Sequence, residues 1–315
     1  MRPKLCVALG CALSIGVAGP AGALSFNFTV ANGTTLSAAQ SAAFQTAANA
    51  WSNVLTDNIT VNLQVGFTTL GSGILGQTSL AFTAPTAASV RTHLAADISS
   101  ADDAQAFATL PTYAPGTQFA LTNAQAKAIG IAADGNFDGT IEFNSAFNFS
   151  TSRNADGTIA AGTFDLVGVA EHEIGHALGF VSAVDSPALL HTVLDQYRYS
   201  SPGVRTTSTG AAYFSLDGGL TSIASFSDGI SNQGSHWAPG TTSGGALALM
   251  IPALAPGQVE NITLLDERAM DILGYNLARF SPAVPEPASW AMILAGFGMV
   301  GTALRRRQRI AVDFA

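Results

Sequence analysis

The sequence predicts an α+β fold. An N-terminal twisted mixed sheet carries a metal-binding helix, and an irregular C-terminal subdomain ends in a further helix. Three observations predict it. Residues 24–30 and 59–67 show the two-residue apolar alternation of half-buried strands, and 74–82 gives a third strand candidate. Residues 165–179 follow a helical period and carry His172-Glu173-Ile174-Gly175-His176. Beyond Gly179 the periodicity fades, and Gly, Ser, Thr and Pro dominate to about Pro252.

The elements follow in order. Leu24 to Val30 is the first strand. Ser37 and Gln40 form a capping box that opens a helix through Trp51, with Phe44, Ala48 and Trp51 on one face. Ile59, Val61, Leu63, Val65 and Phe67 face one side of a second strand, and Ile74 to Phe82 gives a third. Residues 88–130 read as mixed and mostly helical, with a helix after Thr122. Gly139 to Phe143 is a short strand, expected at the sheet edge where an extended substrate backbone would pair. The metal helix spans Asp165 to Gly179. A last helix starts at Thr263-Leu-Leu-Asp266, another capping pattern, and ends at Gly274.

Both ends read as processing signals. Arg2 and Lys4 precede an apolar run, and Ala21-Gly22-Ala23 offers a cleavage site, so residues 1–23 are expected to be a signal peptide. Both cysteines, Cys6 and Cys11, fall inside it, which leaves the remainder without thiol ligands or disulfides. At the other end Pro285-Glu286-Pro287 is followed by 17 apolar residues, 288–304, and then Arg305-Arg306-Arg307. That order resembles the PEP-CTERM sorting signal, here residues 284–309. The resemblance implies export through the inner membrane of a Gram-negative bacterium and transient anchoring through the C-terminal span. It also implies an exosortase-type sorting protease as partner, and a secreted, cell-surface or exopolysaccharide-associated product. Between the signals, 7 Lys+Arg stand against 19 Asp+Glu, a net charge of −12 that argues against nucleic acid.

His172 and His176 are one helical turn apart on the same face, where two imidazoles can share one cation. Glu173 beside them is placed to act as a general base. This His-Glu-x-x-His arrangement predicts metal-assisted hydrolysis, most often of peptide bonds. Val167, Ala170, Ile174, Ala177 and Leu178 lie on roughly the opposite face, toward the core. Gly175 costs about 1 kcal/mol relative to alanine inside a helix, which points to a close approach by another group. Gly179 suits the left-handed conformation that ends a helix.

A catalytic zinc usually has three protein ligands. In the compact His-Glu-x-x-His-x-x-Gly-x-x-His pattern the third falls on Ser182, a poor ligand. The candidates left by the residues themselves are Asp185, His191, Asp195 and His236. Asp185 and Asp195 have a second reading, as carboxylates that orient a ligand histidine. Gly234-Ser235-His236-Trp237 and Leu249-Met250-Ile251-Pro252, taken with the first motif, resemble the leishmanolysin-like metzincins. The likeness covers about a third of the chain between the two signals. It implies a zincin/metzincin-like fold with an N-terminal subdomain at 24–179 and a C-terminal one at 180–280. It further implies His236 as third ligand, Met250 as the turn methionine, Zn²⁺ as cofactor, and a protein or peptide substrate. The chain departs from that family in lacking its disulfides and its cysteine-bearing propeptide.

Asp134, Asn136 and Asp138 have the alternating oxygen ligands that open a calcium loop, but Ser145 stands where the closing glutamate belongs. A pair of Asx-Gly turns is the expected reading, with Ca²⁺ as the alternative. The expected function is that of a secreted zinc metalloendopeptidase with Glu173 as general base. Two other classes remain open: a non-catalytic exopolysaccharide-matrix or surface protein with a structural metal, and a zinc hydrolase of non-protein substrates.

Overall fold

The computed structural model describes residues 24–31, 33–186 and 190–279. The expected signal peptide (1–23) and sorting segment (284–309) lie outside the described residues. Among those described, no helix is long and apolar enough to cross a membrane. The upper half runs β1 (Ser25–Val30), α1 (Ala38–Val54), β2 (Thr60–Thr68), β3 (Gly76–Leu80), β4 (Phe82–Thr83), α2 (Ala87–Asp97), α3 (Ala101–Thr109), β5 (Leu121–Thr122), α4 (Asn123–Ala128), β6 (Gly139–Asn144), β7 (Phe149–Ser150), β8 (Phe164–Asp165) and α5 (Leu166–Ala177). The Ser37–Gln40 capping box forms as the sequence predicts, and Thr122 caps α4.

The main sheet has the order β1-β2-β6-β3. β1, β2 and β6 are parallel, and β3 is antiparallel to β6. β6 is therefore interior. The Gly139–Phe143 segment is not the expected sheet edge; β3, which follows β2 in sequence but is placed outside β6, takes that position. Nothing local to either segment encodes that exchange, because it depends on which strand β2 accepts as its parallel neighbour.

α1 and α5 cover one face of the sheet. Phe44 of α1 stacks on Phe143 of β6, with ring centroids 5.1 Å apart. Thr78 of β3 touches Glu173 of α5, and Thr78 pairs with Ile141, two residues from Phe143 and so on the same face. The opposite face is polar, with Gln77 donating to Glu142. The two helices are joined through Trp51, fully buried, whose indole N–H donates to the Glu171 carbonyl at 2.8 Å.

The lower half is less irregular than its composition predicts. A 3₁₀ turn (Leu194–Tyr197) leads into a small antiparallel sheet of β9 (Arg198–Ser201), β10 (Val204–Arg205), β11 (Tyr213–Phe214) and β12 (Ala224–Ser225), in the order β10-β9-β11-β12. Its strands are two to four residues long, too short for alternation to register. The hairpin β13 (Thr242–Ser243) and β14 (Ala246–Leu247) and the terminal helix α6 (Leu264–Ile272) complete it. The described residues belong to one compact unit.

Trp51→Phe keeps most of the apolar volume and loses the inter-helix hydrogen bond, so a loss of about 1 kcal/mol is expected. Trp51→Ala leaves a cavity between α1 and α5 and costs about 3–5 kcal/mol. Denaturant unfolding of both variants checks the ordering; a Trp51→Phe variant as stable as the parent would show that the hydrogen bond is irrelevant.

Candidate metal centre

α5 places His172 and His176 on one face, and the loop after β12 brings His236 against them. The three Nε2 atoms are 3.1 Å (His172–His176), 3.2 Å (His172–His236) and 3.3 Å (His176–His236) apart. Each Nδ1 faces a backbone carbonyl, which can only accept: Leu249 for His172 and Phe180 for His176, both at 2.8 Å, and Gln233 for His236 at 3.2 Å. The neutral imidazoles therefore carry their proton on Nδ1, and three bare Nε2 lone pairs point at a common centre. Burial holds the His172 imidazolium down to about 4 and the His176 imidazolium to about 3, and pushes His236 well below its ordinary value. Ligand bonds of about 2.0–2.1 Å at tetrahedral angles would put the nitrogens about 3.3 Å apart, close to the separations here. The cluster fits a single tetrahedral cation, and it is the one such group among the described residues.

Local structure fixes each histidine. Gly179, at φ +114°, ends α5: its N–H bonds to the His176 carbonyl, and the Phe180 N–H bonds to the Gly175 carbonyl. That turn is what aims the Phe180 carbonyl at His176. The close approach expected at Gly175 is Met250: a Cβ there would lie 2.5 Å from its sulfur. Met250 is fully buried beneath the helix, and the preceding carbonyl, Leu249, holds His172.

The Met250 turn and the His236 loop are held by Asp266, the third residue of α6, which is itself completely buried. Its Oδ1 accepts from the Trp237 indole and the Met250 N–H; its Oδ2 accepts from the Leu249 N–H and from the Thr263 N–H and hydroxyl. Trp237 also donates its backbone N–H to the Met250 carbonyl at 2.7 Å and packs against Phe180, Phe214 and Phe226. The sequence shows Asp266 as a helix-capping residue; its wider role has no local signal.

Asp185 is turned away from the histidine cluster. It accepts the Gly234 N–H at 2.7 Å, fixing the loop two residues before His236. Gly234 packs on Val184 with no space for a Cβ. Buried Arg198 braces the same loop by donating to the carbonyls of Ser227 and Gly234. Asp195 accepts from Ser182, Ala183 and Thr192 and makes no contact with a ligand histidine. His191 packs between Tyr113 and Phe119. In the Asp134–Asp138 segment, Asp138 is buried and turned inward to Lys127 and the Asn62 N–H, while Asn123 bonds the carbonyls of Asp134 and Phe137. No group of three His, Cys, Asp or Glu side chains able to hold a cation forms there among the described residues.

Glu173 lies beside the histidines under the sheet edge. The Thr78 hydroxyl donates to its Oε2 at 2.6 Å. Burial pushes its carboxyl up to about 7 against the lowering effect of that hydrogen bond. Gly76 makes the fit possible, since a Cβ there would meet Glu173 Oε1 at 2.9 Å. Sequence reasoning finds neither Thr78 nor Gly76. On the polar face of α5, His172 and Glu173 are buried and His176 is half-buried, and the site opens through a cleft of about 450 Å³ between β3 and residues 251–254.

Residues 283–307 match the PEP-CTERM protein-sorting motif, which indicates export and cell-surface sorting in a Gram-negative bacterium. No curated protein and no solved structure matches the chain.

Asp266→Asn replaces one acceptor oxygen with a donor facing other donors. A loss of about 2–4 kcal/mol in unfolding free energy is expected, with helical content retained at 25 °C. Unfolding indistinguishable from the parent protein would show that the carboxylate does not hold the turn.

Proposed function

We propose that the chain is an exported zinc-dependent metalloendopeptidase of the metzincin type, resembling the leishmanolysin-like group. The observation that carries the proposal is the convergence of three unprotonated Nε2 atoms beside a buried glutamate, in a cleft bounded by an open strand edge. His172, His176 and His236 would hold the metal. The donor set suits zinc: three imidazoles leave one position of a tetrahedral shell for water or substrate. When bound, zinc would supply Lewis acidity, making water nucleophilic near neutral pH and polarising the scissile carbonyl.

The protein's own residues do the rest. Glu173 takes the proton of the attacking water on its carboxylate and passes it to the leaving amide nitrogen. Thr78 fixes the rotamer of that carboxylate through Oε2, so that Oε1 is left to handle the proton. β3 is antiparallel to β6 and offers its outer backbone edge to the cleft, so an extended peptide can add to the sheet there. Main-chain pairing of this kind favours polypeptide over a substrate without amides. We further propose that the C-terminal span anchors the exported protein transiently, and that an exosortase-type protease removes it.

Bound zinc and casein or gelatin cleavage, measured on the parent protein and two variants, test the assignment. Glu173→Ala is expected to retain stoichiometric zinc and lose at least about 100-fold in kcat. His236→Ala is expected to lose zinc and activity together. Zinc retention by His236→Ala would remove it from the ligand set, and a zinc-loaded parent that cleaves no protein would overturn the peptidase reading.

A further inference from the structure

Glu260 is a second buried carboxyl in the same cleft, and nothing in the hydrolytic machinery accounts for it. It is 3% exposed and lines the cleft together with His172 and Glu173. Its side chain crosses α5 at Gly168, where a Cβ would meet Glu260 Cγ at 3.1 Å. Gly168 precedes His172 by one turn on the same helix face, about 6 Å along the axis. A glycine at that position makes room for Glu260 as well as for Asp165, whose Oδ2 a Cβ there would meet at 2.7 Å.

No cation pairs with Glu260 among the ion pairs of the described residues. The nearby Arg153 is committed elsewhere: it binds Asp165 at 2.6 Å, lies 3.7 Å from Glu171, and gives Glu260 only a hydrogen bond to its backbone carbonyl. Asp165, Glu171, Asp266 and Glu173 surround the group, and burial together with their charge pushes its carboxyl well above the usual range. Buried carboxyls are ordinarily paired or hydrogen-bonded, and the Glu260 side chain is in none of the ion pairs of the described residues. The same cleft has apolar lining from Val169, Ile251 and Leu254.

We infer that the part of the cleft lined by Glu260 is a subsite for a cationic substrate side chain, with that glutamate as its specificity-determining residue. Lysine and arginine have the matching shape: an apolar stem to lie along the walls and a charged head to reach the carboxyl. The inference rests on the peptidase reading and adds to it a substrate class, polypeptides with a basic residue next to the scissile bond.

The full-length zinc-loaded protein is given a proteome-derived peptide mixture, and cleavage sites are read by mass spectrometry. Glu260→Gln and Glu260→Lys are run beside it, with zinc content and melting temperature checked. Lys and Arg are expected to be enriched at one position flanking the cut. Matched peptides carrying lysine or norleucine there should differ in kcat/KM by about tenfold or more. That ratio should fall toward unity in Glu260→Gln, and Glu260→Lys should prefer glutamate instead. Cleavage without basic enrichment, or an unchanged ratio in Glu260→Gln, overturns the subsite and leaves the peptidase standing. No cleavage by a zinc-loaded parent overturns both. Should the Glu260 variants fail to fold, competition between the two matched peptides for inactive Glu173→Ala decides, and equal affinities overturn the subsite.

Discussion

The site depends on one buried carboxylate that touches no histidine. Asp266 accepts five hydrogen bonds from three separate segments: the start of α6, the Leu249–Met250 turn and Trp237. A carboxyl sealed from water is costly unless its lone pairs are satisfied, and here they are. The saturation also makes the arrangement hard to deform, since moving any one segment strips a donor from the interior. The Leu249 carbonyl is thereby set for His172, and Trp237 is set next to His236. A residue that caps a helix locally thus dictates where two of the three imidazoles lie.

The imidazoles themselves are arranged against their own electrostatics. Three lone pairs facing one another within 3.3 Å repel, and burial denies them the proton that would relieve it. The fold supports that arrangement through the three Nδ1–H···O=C contacts, which fix tautomer and ring plane together. Contacts of this sort hold the three donors at one point, where they could share a cation.

What the sequence revealed was whatever depends on short spacing. The helix spanning His172 and His176, the left-handed Gly179, both capping boxes and the tight contact at Gly175 all follow from neighbours a few residues apart. His236 and Met250 lie 60 to 78 positions from the helical histidines, and only a family likeness singled them out. The exchange of β6 and β3 was illegible because sheet order is decided by pairing across the whole domain. Thr78, Arg198 and Glu260 were illegible for a related reason: a threonine in a strand, an arginine in a polar stretch and a glutamate in a loop acquire a role only from what the fold sets beside them. Asp185 and Asp195, equal to His236 on chemistry alone, differ from it in direction. Their carboxylates are consumed by backbone and hydroxyl donors, which a sequence does not display.

The seat of Met250 under Gly175 bears on how the protein meets oxidants. Between residues 24 and 284 the only sulfur atoms belong to Met250 and Met270, and both side chains are fully buried. Conversion of a thioether to its sulfoxide requires access and room for a polar oxygen, and the packing of Gly175 and Trp51 around Met250 supplies neither. With both cysteines confined to residues 1–23, the folded domain presents no thiol to cross-link and no thioether to oxidise. The folded domain is therefore insulated from the redox state of the medium, a property set by where sulfur is absent as much as by where it is enclosed.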